Sequence, residues 1–391
     1  FMVNQFFNIQ EKNKKVNDST YVRRNIHAGR ITHTFNWQRS TQVYTDEDPT
    51  TGFYNNIYLD STATLDSVYH FNISNKFMWS NLGYLDSTEK KPFYVFGAIR
   101  HEYHELGGYA DRRYFNQLIP SAGIYWFIKK TYLIRGRAEL ITGDYNGGDY
   151  LFEGSFSYFP GKEEKKYGNI EFLYHQAKQK PGWFYQQYSG NHFRWDNNFS
   201  STDITLFSFF YKRTRLKAGL EFYLLSNFVA MDLNALPHQS SDGISVLKAS
   251  VLKDFRFNIV GIDTKFAYQK ASDETFIALP DFIADVAIFV TLPLFNGATT
   301  IQPCFEIYYN TSYYADAYMP ALRSFYAQTE KEIGNYVYAD FFFNFRIKRA
   351  RMFLKYSHFN ALFGQYNYYA VPSYPLMDAG FRFGISWKFF D

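Results

Sequence analysis

The sequence holds one cysteine, Cys304, in 391 residues. A single thiol excludes an intramolecular disulfide framework and any zinc site built on cysteines. Long apolar runs are also missing. The longest weakly charged one, Phe282 to Phe295, contains Asp285 and is shorter than the roughly 20 residues a spanning helix needs. Charge of one sign is missing too: 41 Lys and Arg stand against 37 Asp and Glu, a formal net charge of +4. A nucleic-acid binder would show a basic face or stripe, so no nucleic-acid partner is expected. The chain opens Phe1-Met2-Val3-Asn4, without the charged, apolar and small-residue succession of an export leader. If the protein is exported, the chain is expected to be a mature or truncated product.

Aromatic residues are abundant. There are 35 Tyr, 43 Phe and 6 Trp, 21% of the chain. With 46% hydrophobic residues this is no disordered chain. A soluble all-β protein fits such a composition. A transmembrane β-barrel fits it better, because it alternates lipid-facing apolar with lumen-facing polar residues and wears aromatic girdles at both interfaces.

Period two recurs along the chain, whereas helical spacing is scarce. At the C-terminus Phe381, Phe383, Ile385, Trp387 and Phe389 alternate with Arg382, Gly384, Ser386 and Lys388. Leu216 to Leu224 alternate with Lys217, Gly219, Glu221 and Tyr223, and Tyr132 to Leu140 with Leu133, Arg135, Arg137 and Glu139. Ile301 to Tyr309 alternate with Gln302, Cys304, Glu306 and Tyr308. Val337 to Ile347 alternate with Asp340, Asn344 and Arg346. Rows this long suit a tilted membrane strand of roughly 10 residues better than an ordinary soluble strand.

Connection lengths give a second test. Lys348-Arg349-Ala350, Phe295-Asn296-Gly297, Lys253-Asp254-Phe255, Lys212-Arg213-Thr214 and Lys129-Lys130 read as short turns. Residues 361–377, 313–332, 270–280, 233–243 and 105–113 read as longer loops between them. Short periplasmic turns and longer outer loops alternate this way in bacterial barrels. The connection at 144–147 is tight where a long loop is due, and 81–91 and 160–166 are long for turns. The stretch 188–212 must then be one long bulged strand. The expected fold is all-β, a transmembrane antiparallel up-and-down barrel of about sixteen strands, the first near 26–44 and the last 379–390. The domain boundaries are 1–25, an N-terminal segment that is periplasmic or an extra strand with a partner missing from this chain, and 26–391, the barrel.

More specific text lies at Tyr313-Tyr314-Ala315-Asp316-Ala317-Tyr318-Met319-Pro320-Ala321, Ile333-Gly334-Asn335-Tyr336, Phe345 to Tyr356 and Tyr369-Ala370-Val371-Pro372-Ser373-Tyr374-Pro375. It resembles the porin family of Bacteroidota outer membranes, most sharply over 300–391. Phe193-Arg194-Trp195-Asp196-Asn197-Asn198-Phe199 and Ile244-Ser245-Val246-Leu247 extend the likeness more loosely. The resemblance implies a barrel in the bacterial outer membrane and a porin by name.

Charges at the lipid midplane cost roughly 2–4 kcal/mol for Arg and Lys. Phe381, Phe383, Ile385, Trp387 and Phe389 are therefore expected to face lipid, and Arg135, Arg137, Glu139, Lys217, Glu221, Glu306, Arg346, Arg382 and Lys388 to line the pore. The inward charges either tune solute passage or pair with one another and hold the wall together. The basic turns, Lys165-Lys166 included, meet headgroups or simply solvent. Loop 313–332 either enters the barrel mouth as a constriction or caps it from outside. Asp46, Glu47 and Asp48 lack the ligand spacing of a calcium loop. In a strand His101 and His104 point to opposite faces, and Cys304 falls on the inward row. No catalytic residue, metal site or cofactor is expected, and the chain reads as no enzyme. The function expected is passive diffusion of small hydrophilic solutes. The alternative is a structural barrel subunit of a larger outer-membrane assembly or secretion complex. Partners are outer-membrane lipid and lipopolysaccharide, small solutes and other envelope proteins. Both termini are expected in the periplasm.

Overall fold

A computed structural model describes residues 2–10, 14–17, 20–22, 27–50, 52–81, 93–108, 112–129, 131–160, 167–364 and 368–387. Lys130, Lys165, Lys166, Lys388 and Phe389 lie outside the described residues, as does most of the 81–91 connection.

The architecture is one antiparallel up-and-down sheet of 19 strands, with each long strand hydrogen-bonded to the next in sequence. It runs from Met2–Gln10 and His27–Asp46 through Thr64–Ser80, Phe93–Gly107 and Arg112–Ile128 to Ala350–Ser357 and Gly380–Trp387. The count exceeds sixteen for two reasons. Ile141 and Thr291 interrupt two strands and leave Thr142–Gly143 and Leu292–Leu294 as short continuations. Met2–Gln10 adds one strand, and its partner is in this chain: Met2 pairs with Asn36 and Asn8 with Arg30. Among the described residues no pairing joins Gly380–Trp387 to the first strands. No helix of the described residues is long and apolar enough to cross a membrane.

Connections alternate in length. At one end the turns are tight, with Lys129, Arg215, Asn258, Asn296 and Lys348 at left-handed φ between 48° and 62°. Reversing a strand pair in two residues needs such backbone, which suits Asn better than a branched side chain. One turn lies further on than its sequence suggests. Lys253, Asp254 and Phe255 stay in the strand Ile244–Phe257, and the chain reverses at Asn258. The opposite end carries the long connections 47–63, 180–201, 227–243, 272–281, 311–335 and 358–379.

The largest departure from expectation is at 188–212. Only Thr202–Arg213 joins the large sheet there. Residues 180–201 instead form a folded insert: a four-residue helix, Trp183–Gln186, then a hairpin of Gln187–Ser189 with Arg194–Asp196. Pro181, Gly182 and Gly190 break any ladder, and Gly190 packs so closely that an added Cβ would sit 2.7 Å from the Asp66 carboxylate.

Residues directly opposite on antiparallel neighbours point to one side. Arg135 faces Ser155, which faces Leu173, then Ser208, Glu221 and Lys248. Asp263, Ala287, Glu306 and Asp340 form a second such row. Contacts from residues 191 and 323 to Asp66 link strands far apart in the sheet. The sheet therefore curls, with these polar rows on its inner face.

Candidate functional site

The inner face holds charges mostly in pairs. Arg100 lies 3.0 Å from Glu102 and 3.9 Å from Glu139, and Arg137 lies 2.6 Å from Glu139. Arg135 is 3.6 Å from Glu171, which also takes Lys212. Glu221 is 3.0 Å from Lys248 and Asp285 is 2.6 Å from Lys265. Asp340 pairs with Lys355, whose ammonium lies 4.3 Å from the Phe342 ring centre. Such pairs neutralise one another and crosslink adjacent strands.

Four of the inward residues singled out from sequence lie outside this ladder. Lys217 sits 4.7 Å over the Phe210 ring. Arg346 reaches Thr300 Oγ1 at 3.4 Å, and Arg382 reaches the Met377 sulfur at 3.4 Å. Glu306 makes no salt bridge among the described residues and lines a cavity beside Asp285. On the opposite face Phe381, Phe383, Ile385 and Trp387 are 61–72% exposed.

The long-loop end is covered. Asn191, 2% exposed, is the pin. Its backbone N–H donates to the Asp66 carboxylate at 2.9 Å, its side-chain oxygen accepts from the N–H groups of Leu59 and Asp60 at 2.9 Å, and its side-chain NH₂ donates to Asp60 O and Thr64 Oγ1 at 2.8 Å. His192 stacks on Tyr54 at 3.8 Å and bonds Thr64 Oγ1 and the Asn56 carbonyl. The insert thereby locks loop 47–63 across the opening.

An apolar knot completes the cover. Tyr188, Ala235 and Leu322 come from three different loops and pack with Phe184, Phe193, Trp195, Met319 and Tyr326. Burial pushes the Tyr188 phenol well above its ordinary value. Loop 313–332 thus caps by packing on its neighbours, with Ala327 N–H donating to the Met231 carbonyl. Burial raises the Asp316 carboxyl in this loop. Nothing in the sequence periodicity marks Asn191, His192 or Asp66. The available signal was the Ser189-Gly190-Asn191-His192 break inside a stretch read as strand.

Two cavities lie beneath the cover. One, of about 490 Å³, is lined by Asp285, Glu306, Glu332 and Asp340 together with Tyr308, Tyr313, Tyr336, Tyr338 and Tyr369. The other, of about 750 Å³, lies between the insert and the strands His27–Asp46, Thr64–Ser80 and Phe93–Gly107. Cys304 lies on the inner face opposite Phe342 and is free. His101 bonds Asn116 on the outer face, while His104 meets His70 and Glu102 on the inner one. No cluster suited to a metal ion occurs among the described residues, and Asp46 bonds Tyr44 Oη and the Asp48 N–H.

A strand-rich sheet with an aromatic outer face and a polar, capped inner face is the setting in which sequence comparison becomes informative. The profile of the family described as "Putative porin" matches residues 1–391. The chain belongs to that family. No curated protein matches it. Among solved structures, it is similar to a mutant of the ferric enterobactin receptor of Pseudomonas aeruginosa, at 10% identity over 88% of this chain and 55% of the receptor, with a TM-score of 0.58. The siderophore receptor PirA of Acinetobacter baumannii matches at 8% identity over 92% and 60%, with a TM-score of 0.60. The ferric-catecholate import receptor Fiu of Escherichia coli K12 matches at 13% identity over 91% and 59%, with a TM-score of 0.55. This porin-family chain thus shares the fold of outer-membrane receptor barrels and spans 55–60% of their length.

Proposed function

We propose that the chain closes into a barrel in a bacterial outer membrane and passes small hydrophilic solutes through its interior, without performing chemistry. The wall is the run of about sixteen strands from His27–Asp46 to Gly380–Trp387, an even number that begins and ends on the tight-turn side, with Met2–Gln10 paired beside its first strand. The observation that carries this reading is the two-faced sheet: Phe381, Phe383 and Ile385 exposed on one side, Arg382 and the paired charges on the other. Hydrocarbon outside and water inside satisfy both faces, whereas a soluble sandwich would cover the aromatics. The cover makes passage narrow and selective, and the mixed signs of the inner charges give weak ion preference.

Planar-bilayer recording of the folded protein tests it. Small conductance steps are expected, larger in Asn191→Ala, which loosens the cover. Absence of steps in both proteins overturns the reading.

A second reading rests on different residues. Phe53, Ile57, Leu59, Leu362 and Phe363 stand exposed on the long connections, apart from the strands. Exposed apolar groups of this kind suit a protein partner, as a structural subunit of a larger envelope complex requires. Stoichiometric co-purification in mild detergent would support it, and a lone barrel in that experiment would end it.

A further inference from the structure

From the larger cavity we infer a binding site for an uncharged oligosaccharide chain, an inference that rests on the passage reading and names the solute class. One wall is a polar row. Gln38, Ser40 and Gln42 alternate on the inner face of His27–Asp46, so their side chains follow one another at about 7 Å spacing. All three are exposed to the interior, and none has a hydrogen-bond partner among the described residues. This sets them apart from the neighbouring inner wall, where side chains bond one another.

The facing wall is aromatic. Trp183, Phe184 and Trp195 come from the insert and line the same space. Trp195 is held in place by stacking on Tyr188 at 4.9 Å and by donation of its Nε1–H to the Phe184 carbonyl at 2.7 Å. Rigid aromatic faces on one side and free amides and a hydroxyl on the other match a sugar chain, which has apolar C–H faces and hydroxyl edges. The volume of about 750 Å³ lies in the range of small-molecule sites.

Charge decides against other solutes. Arg194 and Asp196 offset each other in this cavity, and among the described residues no further Lys, Arg, Asp or Glu lines it. An anionic metal chelate would need surplus cations to repay its desolvation. A polyamine would favour the acidic, tyrosine-lined cavity instead. The extended polar row also suits a chain better than a compact ion.

The test uses the purified full chain in detergent, titrated with maltohexaose, xylohexaose and mannohexaose by calorimetry and tryptophan fluorescence. A ferric tris-catecholate complex and spermine serve as comparators. Saturable binding of at least one hexasaccharide is expected, weakened about tenfold or more in Gln38→Ala/Gln42→Ala. These side chains hold nothing else, so the variant keeps its fold, which heat-modifiable gel mobility verifies. No binding of any hexasaccharide, equal binding by the double variant, or tighter binding of the chelate or spermine overturns the inference. Bilayer conductance on the same preparation separates the two claims. Conductance without sugar affinity ends the site and leaves passage standing. Sugar affinity without conductance in native and Asn191→Ala protein ends passage and leaves the site.

Discussion

Two stretches of the same inner surface obey different rules. Along Phe93–Gly107, Tyr132–Leu140, Asn169–Gln179 and Thr202–Arg213 nearly every inward charge has an opposite charge within reach: Arg100 with Glu102, Arg137 with Glu139, Arg135 and Lys212 with Glu171. Along His27–Asp46 the inward residues Gln38, Ser40 and Gln42 are uncharged and, among the described residues, unengaged. Charge density is therefore a poor guide to which inner side chains remain unengaged. Paired charges spend their hydrogen-bonding capacity on each other and brace the wall, while the plain polar stretch stays available. Of the inward charges singled out from sequence, Arg135, Arg137, Glu139 and Glu221 are engaged in such bracing. Arg346, Arg382, Glu306 and Lys217 stand outside that bracing.

The contrast can be broken by mutation. The largest effect is expected at the cover above the uncharged stretch. Asn191→Ala removes five side-chain hydrogen bonds to the loop 47–63 region and should cost about 2–4 kcal/mol of closure. Limited proteolysis within 180–201 should accelerate, and unchanged cleavage would show that the pin is dispensable. Next comes the braced wall. Glu171→Gln leaves Arg135 and Lys212 without their carboxylate and should cost about 1–3 kcal/mol in denaturant unfolding, toward the lower end because both cations are more than a third exposed. Gln42→Ala should cost no more than about 0.5 kcal/mol in the same assay, and equal losses would erase the distinction drawn between the two stretches. Arg346→Ala should also stay within about 0.5 kcal/mol, yet move the reversal potential toward cations. A shift in stability instead of selectivity would return Arg346 to the braced group.

The smallest effect concerns pH. Burial raises Asp316, so the folded loop holds this proton more tightly than the unfolded chain does. Loop stability should then fall as pH rises from the ordinary carboxyl value of 3.8 through the raised one. Asp316→Asn should flatten that slope in protease-sensitivity measurements on 311–335 between pH 3 and 7.

The strands were legible because a sheet with lipid-type and water-type faces prints its period on the sequence. Phe381 to Trp387 against Arg382 is the plainest case, and the inward placement of Arg135, Glu221 and Glu306 follows from the same alternation. The cover was not legible. Its contacts join residues more than 100 positions apart, such as Asn191 to Asp66, and no local pattern encodes them. Reading 188–212 as one bulged strand gave weight to strand parity over Gly190, although that residue already opposed a continuous ladder. Gln38, Ser40 and Gln42 escaped notice because neutral side chains carry no signal until the aromatic insert is seen facing them.

The separation of the parts that form the cover has a consequence in time. Arg323 reaches Asp66 across 257 positions of sequence, and loop closure of that span is slow compared with zipping one strand onto its neighbour. In a refolding chain the contacts of the cover should accordingly form only after neighbouring strands have paired.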